Sequence, residues 1–228
     1  VITIVAMPNA MALEHRETLL EYKHERRRSE DPVPTPYPQA FSISFVTNMT
    51  ISQTDGEPTG VPVSGVLYYD WTRRSQRVEH AAGSYECLHF YHTVGPCTMI
   101  FLSTGGMYRT IEASDDAGPP TCCLDIPNLG APPPDWAMNA NPTFNGNVSD
   151  PFSGMGEVYQ WTFDKLTPPI MRRSDLSFSD QYHSTQEIIP GYENGGRPLL
   201  FTFPGGAKGK QDYHYDPSTI LIEPQDPA

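Results

Sequence analysis

Residues 40–52 read AFSISFVTNMTIS. Phe41, Ile43, Phe45, Met49 and Ile51 share one parity, and Ser42, Ser44, Asn48, Thr50 and Ser52 share the other, with Val46 and Thr47 as minor exceptions. Alternation sustained over a dozen positions predicts a long strand with one apolar and one hydrated face. Asn48-Met49-Thr50 is a glycosylation sequon, and its Asn falls on the hydrated parity, where a glycan is tolerated.

The pattern continues downstream. A turn region at 54–65 leads into GVLYYDWTRRSQRVEH (65–80), read as a strand over 65–71, a polar connection Thr72-Arg73-Arg74-Ser75, and a returning strand over 76–81. Val66 and Tyr68 share one face, with Leu67, Tyr69 and Trp71 on the other. Arginines gathered at a turn or alternating outward protect strand edges from aggregation, which explains the cluster better than catalysis does. Further strands are expected at SYECLHFYH (84–92), CTMIFLS (97–103) and MYRTIEA (107–113), making an antiparallel meander. Residues 115–155 are proline-rich and show no periodicity, so they read as one long loop. Strands resume at 156–166, 197–205 and 211–220, with 172–193 ambiguous. The expectation is a mainly β domain over 39–220 with about eight to ten strands, followed by a tail at 221–228.

Upstream of the key stretch the chain changes character. Residues 13–28, LEHRETLLEYKHERRR, suit a mostly solvated helix with a thin apolar stripe. DPVPTPYP (31–38) cannot continue it, because each Pro lacks a donor and restricts its predecessor. Residues 1–38 therefore form an N-terminal arm with an apolar start, a helix and a Pro-rich linker. Ala10-Met11-Ala12 has the form of a signal-peptidase site, so residues 1–12 read either as an export-signal remnant or as an extended arm of the mature protein.

Composition narrows the function. The formal charge of −12 repels phosphate backbones, which argues against nucleic-acid binding, and no apolar run reaches the length of a transmembrane helix. The four cysteines, Cys87, Cys97, Cys122 and Cys123, together with a second sequon at Asn147-Val148-Ser149, favour a secretory, extracellular or lumenal location. A bond between adjacent cysteines is strained, so Cys122 and Cys123 are each expected to reach back to one of Cys87 and Cys97, pinning the proline-rich loop onto the meander.

No catalytic residues emerge. Pro204-Gly205-Gly206-Ala207-Lys208-Gly209-Lys210-Gln211 lacks phosphate-loop spacing and reads as a hairpin turn, and no G-x-S-x-G elbow occurs. His89 and His92, in a strand, would face opposite sides, and the scattered aspartates show no EF-hand spacing. No metal site is assigned; Ca²⁺ stays open, and no cofactor is implied beyond a bound lipid.

Five segments, taken as an ordered set, resemble the secreted ependymin-related and larval development-specific proteins. They are G-x-L-Y-Y-D-W-(x)₅-R-x-x-H (65–80), Y-E-C-x-x-F-Y-(x)₃-G-P-C (85–97), C-C-L-D-I-P-x-x-G-x-P-P-P-D-W (122–136), G-R-P-L-x-F-x-F-P-G (196–205) and D-Y-H-Y-D-P-S-T (212–219). The resemblance spans residues 40–220 and implies a curved antiparallel half-barrel, similar to bacterial lipoprotein carriers, with a hydrophobic concavity. It also brings calcium binding and dimerisation as family associations, with no metal ligand that can be matched here.

On that reading Phe41, Ile43, Phe45, Met49, Tyr68, Phe201 and Phe203 are the pocket candidates, against the alternative that they simply form a closed core. The favoured function is a secreted, non-enzymatic protein that binds a lipid or other hydrophobic small molecule. The alternative is an assembly subunit of an extracellular or lumenal complex that docks a protein partner through residues 1–38; a homo-oligomer is also open. A hydrolase rests only on scattered Ser, His and Asp.

Overall fold

The computed structural model describes residues 31–50, 62–90, 93–111, 121–150, 152–163, 180–189, 192–204 and 210–225. The helix expected at 13–28 and the apolar start lie outside them.

The alternating stretch is a strand, β1 (Ala40–Thr50). Its apolar parity is sealed: Phe41 is 0% exposed, Ile43 1% and Phe45 2%. The basic stretch folds as read, with β2 (Val63–Asp70), a turn, and β3 (Ser75–His80). Arg74 takes the turn's left-handed position at φ 49°, while the buried Asp70 carboxylate accepts from Thr72 Oγ1 (2.5 Å) and the Arg73 amide (3.3 Å). The meander runs on through β4 (Cys97–Leu102), β5 (Gly106–Ile111) and β6 (Thr121–Pro127). The second half comprises β7 (Thr143–Asp150), β8 (Gly156–Phe163), β9 (Asp180–Ile189), β10 (Tyr192–Pro204) and β11 (Lys210–Tyr215).

These 11 strands form one antiparallel sheet in the order β6-β5-β4-β3-β2-β1-β11-β10-β9-β8-β7. Each half is a simple meander, and the pairing of β1 with β11 joins them. The sheet does not close, because β6 and β7 stand at its two ends although they are neighbours in sequence.

Three expectations about elements are corrected. The strand expected at 84–92 is not formed over the described residues 84–90: Glu86–Phe90 make a π-helical turn, begun by Ser84, whose hydroxyl accepts from the Cys87 amide at 3.1 Å. The 115–155 stretch is not a single loop, since it contains β6, β7 and a one-turn helix α1 (Trp136–Asn139). The domain also begins before Gln39. Residues from Pro34 onward belong to the β unit, and Tyr37, 6% exposed, sits edge-on to Phe41 at 5.3 Å and to Tyr69 at 5.7 Å.

The described part of the segment after β11 is anchored to the sheet. After β11 a short 3₁₀ turn at Pro217–Thr219 leads to Leu221, which exchanges two backbone hydrogen bonds with Ser42 (2.9 and 3.0 Å). The C-terminal segment thereby satisfies the stretch of β1 that β11 does not reach.

Register assigns the core face. Ile43 stands opposite Leu67, Phe41 opposite Tyr69, and Phe45 opposite Gly65 and Tyr215. Gly65 is required there by space: a Cβ would collide with the Phe45 ring and with the Glu79 carbonyl. The segment joining β6 to β7 crosses this face. Tyr69 donates to the Pro132 carbonyl at 2.8 Å and the Tyr37 amide donates to Pro134 O at 2.9 Å. Trp136 arrives with its ring 5.6 Å from each of Phe163, Tyr182 and Phe201. Aromatic pairs at such edge-on or tilted separations each add about 0.5–1.5 kcal/mol beyond area burial.

Candidate functional site

The core face divides into a closed half and an open half. Under Tyr37 and Trp136 the packing is complete, with Trp161, Phe163 and Tyr182 at most 1% exposed. Across β2 to β6 the same face instead bounds a cavity of about 250 Å³. Leu67, Val78, Met99 and Phe101 of β2–β4 line it together with Phe45 of β1 and Phe201, Tyr213 and Tyr215 of β10 and β11. Met107, Ile126 and Leu129 close the β5–β6 side. A register shift in β6, between the Met107–Ile126 and Tyr108–Leu124 pairs, brings Asp125 to the cavity as well.

One end of this apolar space is polar. Glu86, in the π-helical turn, lines the cavity and is only 2% exposed. Its Oε1 accepts hydrogen bonds from Gln211 Nε2 and from the Tyr213 hydroxyl, both on β11. Its Oε2 lies 3.5 Å from Nδ1 of His80 on β3 and has no hydrogen-bond partner among the described residues. Gln211 Oε1 and His80 Nε2 are likewise buried without one among those residues. Burial lowers the His80 pKa, against the opposing pull of Glu86, and holds the ring neutral. The disulfide Cys87–Cys97, next to Glu86 in sequence, fastens the turn to β4 at a Cα separation of 5.6 Å.

The seven pocket candidates are not one group. Phe45 and Phe201 line the cavity. Phe41 and Ile43 share its face but are sealed, Phe41 under Tyr37, and do not line the cavity. Tyr68 is a correction: it pairs with Ser42, on the other face, where the Arg77 guanidinium lies 4.2 Å above its ring. Leu67 takes the position assigned to it, since residues next to each other in a strand face opposite sides. The side chains of Met49 and Phe203 lie outside the described residues.

The disulfide expectation is also corrected. Cys87 pairs with Cys97, and Cys122 and Cys123 are free and exposed. They stand on β6, which β5 separates from Cys97 on β4, and Arg109 Nε donates to Cys123 Sγ at 3.1 Å. Of the two sequons, Asn147 is exposed and Asn48 half-buried. Among the described residues no group of three or more His, Cys, Asp or Glu is placed to hold a metal, and His89 falls in the π-helical turn instead of a strand.

Sequence reading missed Glu86, Gln211 and Tyr213 as site residues. The available signal was Gly83-Ser84 ahead of Tyr85-Glu86-Cys87, a break followed by a helix-initiating Ser.

No family model matches the chain, and no curated protein does. Among solved structures it is similar to the crystal structure of an uncharacterized conserved protein from Thermus thermophilus. That likeness has 9% identity and a TM-score of 0.43, covering 83% of this chain and 82% of the other.

Proposed function

We propose that the chain is a secreted or lumenal, non-enzymatic protein whose sheet bends into a half-barrel and holds an acyl or isoprenoid-like ligand on its core face. The observation that supports this reading is the largely apolar cavity lined by residues of β1 to β6 and of β10 and β11. At about 250 Å³ it lies just below the roughly 300–1,000 Å³ range of ligand clefts, and it sets a few polar side chains, Gln76, Glu86 and Asp125, among apolar ones, as small-molecule sites do. The ordered segments that resemble ependymin-related proteins supply much of the lining, including Leu67, Glu86, Asp125, Phe201 and Tyr213. The Cys87–Cys97 bond is compatible with an oxidising compartment, and no described helix is long and apolar enough to cross a membrane.

Two measurements test the proposal. Native mass spectrometry with organic extraction should recover one apolar molecule per chain. The neutral probe N-phenyl-1-naphthylamine should bind and brighten with low-micromolar affinity. Met99→Arg, which puts a guanidinium against the cavity, should weaken the probe at least tenfold while the thermal midpoint stays within a few degrees. A wild-type protein that yields no extractable molecule and ignores the probe overturns it.

A further inference from the structure

The polar end of the cavity has a chemical bias. Glu86 Oε1 receives two donors, Gln211 Nε2 and Tyr213 Oη, which is how a carboxylate is held as an acceptor. That leaves Glu86 Oε2, on a residue that lines the cavity, without a hydrogen bond among the described residues; Gln211 Oε1, behind the lining, is in the same state. A buried acceptor left unmade is costly, more so on a charged group. His80 Nδ1 at 3.5 Å is too distant to satisfy Oε2 well. The second acidic side chain on the cavity, Asp125, stands at the β6 wall, and no Lys or Arg among the described residues lines the space. The cavity thus offers two carboxylates to whatever head group enters it, with the Gln76 amide as its neutral polar side chain, and no countercharge for an anion.

We propose that the ligand is an amphiphile whose head donates hydrogen bonds, a hydroxyl or an ammonium, received by the Glu86 carboxylate, and that the site rejects carboxylate-headed chains. This inference rests on the cavity-binding reading above and adds the head-group class to it. A donor head completes the acceptor set, whereas an ionised fatty acid places a second carboxylate against Glu86 in a poorly hydrated space, where like charges repel most strongly.

The test is titration calorimetry of the full chain at pH 7.5 with four ten-carbon probes below their aggregation limits: 1-decanol, decylamine, decanoate and decyl methyl ether. The ether matches the chain but cannot donate. At least one of decanol and decylamine should bind tenfold or more tighter than both the ether and decanoate, the scale of one hydrogen bond to a charged acceptor; the comparison of the two identifies a hydroxyl or an ammonium site. In Glu86→Gln the side-chain amide nitrogen replaces Oε2 and presents a donor, so the preference should fall to within about threefold. Should that variant fail to fold, the wild-type series still decides. Decanoate or the ether binding as well as both donors overturns the head-group assignment and leaves the cavity reading standing. Binding of none of the four overturns both.

Discussion

His80 shows how a single residue links the site to stability. The ring is 2% exposed and meets the cavity's polar end at Glu86. Burial lowers its pKa from the ordinary 6.5, with Glu86 pulling the other way. In the unfolded chain the imidazole takes up its proton as pH falls through that ordinary value, whereas the folded ring takes it up only at lower pH. Between the two values the unfolded state binds more protons, so stability declines as pH falls, by at most about 1.4 kcal/mol per pH unit. The wild-type thermal midpoint should therefore drop more steeply from pH 7 to pH 5 than that of His80→Asn, whose side chain does not titrate. Parallel profiles for the two proteins would show that His80 is not buried neutral.

At the scale of elements, the π-helical turn at Glu86–Phe90 and its disulfide form one unit. The turn carries Glu86 beneath the sheet, and the bond to Cys97 closes a short loop across a sequence separation of 10. Loop-closure entropy for such a span is worth about 2–3 kcal/mol. Cys97→Ser should lose roughly that much in denaturant unfolding, whereas Cys122→Ser and Cys123→Ser, exposed on the end strand β6, should change stability by less than about 0.5 kcal/mol. Thiol titration of the denatured, unreduced chain should count two thiols; a count of zero would restore the pairing expected from sequence. This unit also marks where the sequence stops being legible. β1 to β5 and β8 could be read because a half-buried strand writes its two environments into alternate residues. The turn at 84–90 is too short for a helical period, and its one sign, the Ser84 cap, is shared with ordinary turns. β7 escaped notice for another reason: at the end of the sheet it buries little, so Asn145, Asn147 and Ser149 are exposed and its apolar parity is weak. The site was half legible. Phe45 and Phe201 follow from parity, but Glu86 meets Gln211 and Tyr213 only because the two halves of the sheet join, across sequence separations of 125 and 127.

That joint governs the whole molecule. Each meander consists of near-neighbour hairpins, yet among the described residues the only strand pairing between them is β1 with β11, and β11 is the last of the 11 strands. From Phe45–Tyr215 to Thr50–Lys210 it pairs six residues with β1, and its other edge pairs with β10. It also supplies Tyr213 and Tyr215 to the cavity wall and Gln211 to the acid cluster. Removing it exposes unpaired edges on β1 and β10 in the middle of the sheet, an aggregation hazard as well as a loss of hydrogen bonds. A chain ending at Pro204 retains ten of the strands and all of Trp136, Phe163 and Tyr182, so a view of the fold as two independent meanders expects it to remain folded. The topology requires the opposite: the truncated chain should lose its cooperative thermal transition and bind a hydrophobic dye, while the full chain unfolds in one step. Because the closing contact spans most of the sequence, refolding of the full chain should also be slow, in the millisecond-to-second range of proteins dominated by non-local pairing. A truncated chain with a sharp transition close to the parent's would show that the halves stand alone, and that the β1–β11 seam contributes little to holding the fold.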